Sequence, residues 1–191
     1  MISRPRRSIL SSLHATSANR SRALVVLGAL ALSVAAVSSG CSDLGGTVTN
    51  VCASQEIFEQ SVSPFVERRC GTLDCHGGIA RPMRVFGRLG LRHPDEDNIS
   101  GGAATTALER AANYTSVCGV DAEKMNESVQ NLGNTAEKLL IVTKARGLEK
   151  HKGGKVVNEN DPGDLCILSW LKNNDTQAAT SCAAAVDQLT P

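Results

Sequence analysis

Two thiols and an imidazole fall within the stretch Cys70-Gly71-Thr72-Leu73-Asp74-Cys75-His76, with Gly77 and Gly78 directly behind it. Three chemistries are open to that set. The thiols can join a cofactor through thioethers while the imidazole binds its metal. They can instead enter disulfides, or combine with His76 and His151 in a zinc site of Cys2His2 type. On a regular helix five positions turn through about 500°, roughly 140° past a full turn, so Cys70 and Cys75 cannot both face one flat ligand from helical backbone. Gly71 is the residue expected to release the chain into a loop.

The elements that must position these side chains read as helices. From Ala53 to Arg69, Ile57, Phe58, Val62, Phe65 and Val66 recur at helical spacing, with Pro64 expected to kink or restart the run. That helix delivers the chain into Cys70. Residues 77–102 hold scattered arginines, glycines and the turn-forming His93-Pro94-Asp95-Glu96-Asp97-Asn98, which predicts an irregular loop with at most a short strand. Helices are expected over Thr105–Val117 and Ala122–Leu132. Another is expected from Asn134 as N-cap, with Glu137 completing a capping box, to Gly147. A polar loop containing His151 follows. Asp161 then caps a helix with Pro162 at its first position and Leu165, Leu168, Trp170 and Leu171 on its apolar side. The alanine-rich Thr176–Leu189 fits a last helix, and no internal repeat is seen.

The amino terminus is an export segment by composition. Arg20 and Arg22 precede Ala23 to Val37, an uncharged and mostly apolar run shorter than the roughly 18 residues a spanning helix needs. The run ends in Val37-Ser38-Ser39-Gly40-Cys41, small residues before a cysteine, so residues 1–40 read as a lipoprotein signal peptide and Cys41 as its lipidation site. Residues 41–52 read as a lipidated tether and 53–191 as the folded domain. In lipoproteins of this kind Ser42 after the lipidated cysteine suggests passage to the outer membrane. The expected location is outside the cytoplasm, anchored to a bacterial membrane and facing the periplasm or cell surface.

All five basic residues before Cys41 belong to that segment. From Cys41 onward 15 Lys and Arg face 19 Asp and Glu, a net charge near −4 that argues against a nucleic-acid partner. Only five aromatic residues occur in 191, so a core of side chains alone is thin, and disulfides, a metal or an apolar cofactor are expected to contribute. With Cys41 lipidated, six cysteines remain, enough for three disulfides, or for two plus a thioether pair. No Gly-X-Ser-X-Gly, His-Glu-X-X-His or phosphate-cradling glycine loop is present, and the chain is not expected to be an enzyme.

In its order of parts the chain resembles the small monohaem cytochrome c domain found in exported bacterial proteins. Phe58 and Phe65 lie on the leading helix, Cys70, Cys75, His76 and Gly77 follow in a Cys-X4-Cys-His variant of the attachment motif, the loop around His151 comes next, and Trp170 stands on a closing helix. The resemblance implies a mostly α fold: a small cytochrome c-like helical domain with long irregular loops, supported by disulfides. It also implies haem c held by Cys70 and Cys75, His76 as proximal iron ligand, and one-electron transfer to a redox partner protein. The family's usual Met-Pro loop is missing, and His151 stands where it would be, with Met125 and His93 as weaker candidates for the distal ligand. The alternative is a haem-free, disulfide-stapled lipoprotein with a structural or binding role.

Overall fold

The computed structural model describes residues 51–189, all within the compact unit Thr49–Pro191. The signal segment 1–40, Cys41 and residues 42–50 of the tether lie outside the described residues. Every regular element among the described residues is helical. The described residues open with α1 (Gln55–Ile57), which widens into a π turn (Phe58–Val62) and continues as α2 (Ser63–Cys70). A long irregular segment leads to α3 (Ala107–Gly119) and α4 (Ala122–Gln130). A 3-10 turn (Ala136–Lys138) precedes α5 (Leu140–Ala145), and α6 (Pro162–Leu171) and α7 (Asp175–Asp187) complete the domain.

The expected kink at Pro64 takes the form of the π turn just before it. Proline has no N–H to offer the carbonyl four residues back and its ring crowds that carbonyl, so the helix loosens by one residue instead of breaking. Phe58, Val62, Phe65 and Val66 are buried across this change of pitch. The π turn packs against both α6 and α7, and α2 mainly against α7; α6 is buried on nearly every side, as a helix apolar around its circumference must be. Trp170 is fully buried, its ring centroid 5.1 Å from that of Phe58, and its indole N–H donates to the Ser54 carbonyl at 2.8 Å. Phe58 also meets Tyr114 edge-on at 5.7 Å, and the Tyr114 hydroxyl donates to the Ala53 carbonyl at 3.0 Å. The aromatic residues are few, yet three of them converge here.

Two disulfides close the frame. Cys52 pairs with Cys118, tying the start of the domain to α3, and Cys166 pairs with Cys182, joining α6 to α7. Cys52, the last residue of the expected tether, is therefore a covalent part of the domain. Among the described residues no third disulfide is formed; both motif cysteines are free thiols.

The capping expectation at Asn134 is corrected. Residues 134–139 make turns and the 3-10 segment, and α5 starts only at Leu140, without a side-chain cap. Glu137 turns to Arg146 at 3.2 Å instead of the backbone. The capping box sits earlier, at Thr106 and Glu109 on α3, where each side chain accepts from the other's backbone N–H. Asp161 caps α6 as expected, accepting from the Asp164 N–H at 2.9 Å.

Candidate functional site

α2 ends at Cys70, so the two motif cysteines do not share a helix. Gly71 allows this by its size. Its φ of −87° suits any residue, but a Cβ there would come within 2.6 Å of the Glu67 carbonyl oxygen and 3.0 Å of Val85 Cγ1. The motif then closes on itself: the Cys75 N–H donates to the Thr72 carbonyl at 3.0 Å, and the His76 N–H to the Cys70 carbonyl at 2.9 Å. Gly77 packs against Gly71 and Gly90 so tightly that a Cβ would strike the Gly71 carbonyl and lie 2.7 Å from the Gly90 Cα. Three backbones meet there because none carries a side chain.

A chain of hydrogen bonds running back to α3 holds the imidazole. Asn113, fully buried, accepts from the Phe86 N–H at 2.6 Å and donates to the Phe86 carbonyl at 2.8 Å, while Ser116 accepts from the Arg84 N–H at 2.7 Å. Between them the Val85 N–H donates to the His76 carbonyl at 2.9 Å. His76 Nδ1 lies 2.8 Å from the Met83 carbonyl, the geometry of an N–H donor, which leaves Nε2 without its proton in the neutral ring. Burial first, with help from the charges of His151 and Arg81, holds the His76 pKa below its usual value against the opposing Met83 hydrogen bond. The neutral ring is the form that binds a metal.

His151 is brought to the motif from the other half of the chain. The loop bearing it runs from α5 to α6, and its ends are clamped by Arg146, which donates from Nε and Nη2 to the buried Asp164 carboxylate at 2.7 and 2.8 Å. Arg69, next to Cys70, donates from Nε to the Val156 carbonyl at 2.9 Å and so fastens this loop to the end of α2. The His76 and His151 rings lie with centroids 5.9 Å apart and planes inclined by only 18°. His151 Nδ1 is 3.0 Å from the Gly154 carbonyl. Both histidines therefore have Nδ1 tied to a backbone carbonyl and Nε2 left over, the arrangement that orients imidazole ligands at metal centres.

The other expected candidates lie elsewhere. Met125 is buried in the core, and His93 packs edge-on against Phe86 at 5.2 Å, with its own N–H donating to Glu109 at 3.1 Å. Met83 serves through its carbonyl. The zinc arrangement is not assembled: among the described residues no three or more His, Cys, Asp or Glu side chains are gathered to hold a metal ion, whereas a structural zinc site needs four. Burial pushes the Cys70 thiol up to about 12, with the Arg69 charge opposing and the neighbouring Cys75 adding to the rise. Cys70 is thus a neutral thiol at ordinary pH, half-buried at the end of α2.

Sequence reasoning missed Asn113, Ser116, Arg69 and the pair Arg92–Glu109. Arg92 donates to both oxygens of Glu109 at 2.7 Å and to the Ala103 and Ala104 carbonyls, fixing the long irregular segment on α3. Burial opposes the Glu109 charge, but the Arg92, Thr106 and His93 hydrogen bonds outweigh it and hold the carboxyl below its usual range. The only sequence signal for this set was polar residues on the inner face of a helix. Comparison with family models, with curated proteins and with solved structures finds no match for this chain.

Proposed function

We propose that this chain is an exported lipoprotein, anchored through lipidated Cys41, whose helical domain carries one haem c and relays single electrons outside the cytoplasm without catalysing a reaction of its own. One observation carries the reading. Of the six cysteines after Cys41, the four outside the motif pair with each other, and the two inside it stay free beside a histidine that faces a second histidine.

The residues present fit the group. Cys70 and Cys75 would form the thioethers, His76 would be the proximal ligand and His151 the distal one, and the haem when bound would supply a one-electron iron couple. The chain's own work is positional. The Met83 carbonyl fixes the tautomer of His76, the Gly154 carbonyl does the same for His151, and Arg69 with the Arg146–Asp164 clamp holds the two halves of the site together. Two histidine ligands would leave no open position for a substrate, which is why the proposed role is transfer and not catalysis. A redox protein reached from the membrane surface would be the partner.

The test is the absorption spectrum of the protein exported from a host competent for cytochrome c maturation, followed by a denaturing gel stained for haem peroxidase activity. A Soret band that survives denaturation, lost in Cys70→Ser with Cys75→Ser, supports the reading. A colourless folded product with two titratable thiols overturns it.

A second reading has its own observation. Phe58, Val62, Met125, Trp170 and Leu171 are each at most 2% exposed, so the core closes with side chains and two disulfides alone. On that reading the domain is a haem-free, stapled lipoprotein with a structural or binding role, and the colourless outcome selects it.

A further inference from the structure

The end of the domain that presents His76 and His151 differs in charge from the chain as a whole. From Cys41 onward the net charge is near −4, yet the loop that brings His151 to the motif carries Lys150, Lys152 and Lys155, all exposed. Glu149 beside them faces Lys144 at 3.9 Å, and among the described residues the other lysines paired with carboxylates are Lys124 and Lys172, so the three loop lysines stand without a counter-charge. Across the motif, Arg81 donates from Nε to the Cys75 carbonyl at 3.0 Å and from Nη2 to the Asp74 carbonyl at 3.1 Å, partners that orient its guanidinium without neutralising it. Over Cys70–Arg81 and Lys150–Lys155 four cations meet one carboxylate, Asp74. Three large apolar side chains are also left in solvent here, each three residues from one of the histidines: Leu73 is 51% exposed, Ile79 76% and Leu148 69%.

The tether enters at the other end. Cys52 and Ser54 stand just before α1, and the chain is helical from Gln55 to Cys70, a rise of about 24 Å. The histidine end is thus set apart from the point where a lipid anchor would join the domain, which favours a protein arriving from solution over the lipid surface as its partner. We infer that this end is a docking face for an acidic protein, whose carboxylates meet Lys150, Lys152, Lys155 and Arg81 and whose apolar surface rests on Leu73, Ile79 and Leu148. Cations around apolar side chains make an interface in which charge steers the approach and apolar contact seats it. The inference rests on the electron-transfer reading for its purpose, and on the surface alone for its chemistry.

Two measurements test it, and one needs no haem. Amide resonances of the exported full chain in neutral detergent are followed as polyglutamate is added, and the expected shifts centre on Leu73–Arg81 and Leu148–Lys155. Combining Lys150→Gln, Lys152→Gln and Lys155→Gln, all at exposed positions, should weaken this binding about tenfold, and Lys124→Gln should leave it unaltered. In the haem-loaded chain, stopped-flow oxidation by ferricyanide moves one electron from protein to probe, which leaves as ferrocyanide. The rate should fall as ionic strength rises from about 10 to about 300 mM, the sign of an anion approaching a cationic face, whereas the net charge alone predicts a rise. Shifts centred elsewhere, or a rate that rises with salt, overturn the inference and leave haem binding untouched. A colourless chain with the expected shifts supports the docking face and overturns haem binding instead. Tryptic cleavage at Lys150, Lys152 and Lys155 that is lost on phosphatidylglycerol vesicles but kept on phosphatidylcholine, with cleavage at Lys124 equal on both, would assign the loop to the lipid surface and overturn the inference.

Discussion

Asn113 gives the sharpest test of how the motif is held. Its carboxamide is fully buried and makes two hydrogen bonds to the backbone of one residue, Phe86. Asn113→Leu keeps nearly the same volume and removes both. The Phe86 N–H and carbonyl then lose their partners, at about 1–3 kcal/mol each, so the expected cost is about 3 kcal/mol after partial relief by repacking and water. A domain of this length loses roughly 3 °C in Tm per kcal/mol, which makes the shift about 10 °C. Urea denaturation followed by circular dichroism reads the free energy. The His76 ring resonances read the second consequence, because the Val85 N–H bonded to the His76 carbonyl sits between the residues that Asn113 and Ser116 hold. Gln130→Leu, on an exposed position of α4, should change stability by less than about 0.5 kcal/mol. Should Asn113→Leu unfold within about 1 kcal/mol of wild type, or leave the His76 resonances unmoved, the positioning argument is wrong.

Four further outcomes are expected. Gly77→Ala places a methyl against the Gly71 carbonyl and Gly90 Cα, and should cost about 3 kcal/mol in denaturant titration, more than Gly119→Ala, which meets nothing within 4 Å. Protein made without haem maturation and left unreduced should give two thiols on denaturation, assigned by peptide mapping to Cys70 and Cys75; in the native fold near pH 8, Cys70 should alkylate at a small fraction of its unfolded rate, its thiol being pushed up to about 12. Stability should fall in two stages on acidification. His76, with its folded pKa below the unfolded value near 6.5, takes up its proton more readily when unfolded, so stability is lost as pH drops below about 6.5; Glu109, held below 4.5, adds a second loss as pH falls from there through its folded pKa, and His76→Gln should remove only the first stage. Breaking Cys52–Cys118, which closes a loop with a sequence separation of 66, should cost about 4 kcal/mol on the chain-entropy account, against about 3 for Cys166–Cys182 with a separation of 16; paired Cys→Ser variants in denaturant compare them.

The helices were legible because their apolar spacing and end signals are local. Asp161-Pro162 announces α6, Gly147 with φ of 71° ends the turn after α5, and Pro64 marks the change of pitch in the first helix. Where two local signals competed, reading the nearer one failed: Glu137 looked like half of a capping box but pairs with Arg146, a partner that only the folded chain supplies. The cysteine pairing could not be read at all, since parity allowed either two or three disulfides and the choice depends on which helix ends come together. Of the candidate site, Cys70, Cys75 and His76 were named by type and spacing, with the state of the two thiols left open, and His151 by its place in the order of parts that the resemblance supplied. The residues that hold them were not. Arg69, Asn113 and Ser116 act through backbone groups far along the chain, and a backbone partner leaves no mark in the sequence of the residue that provides it.

The Cys52–Cys118 bond also decides how the domain would answer a mechanical load. Force applied from the amino-terminal side enters at Cys52 and crosses the sulfur bridge to Cys118, so the whole stretch between them, including α1, α2 and the motif, carries no tension. Extension can release only the chain beyond Cys118, and there the second bridge shields the segment between Cys166 and Cys182. His151 lies in neither closed loop. Under load the two imidazoles would part before any residue of the Cys70–His76 stretch unwound, so the contact between His76 and His151 would be the first part of this region to be lost.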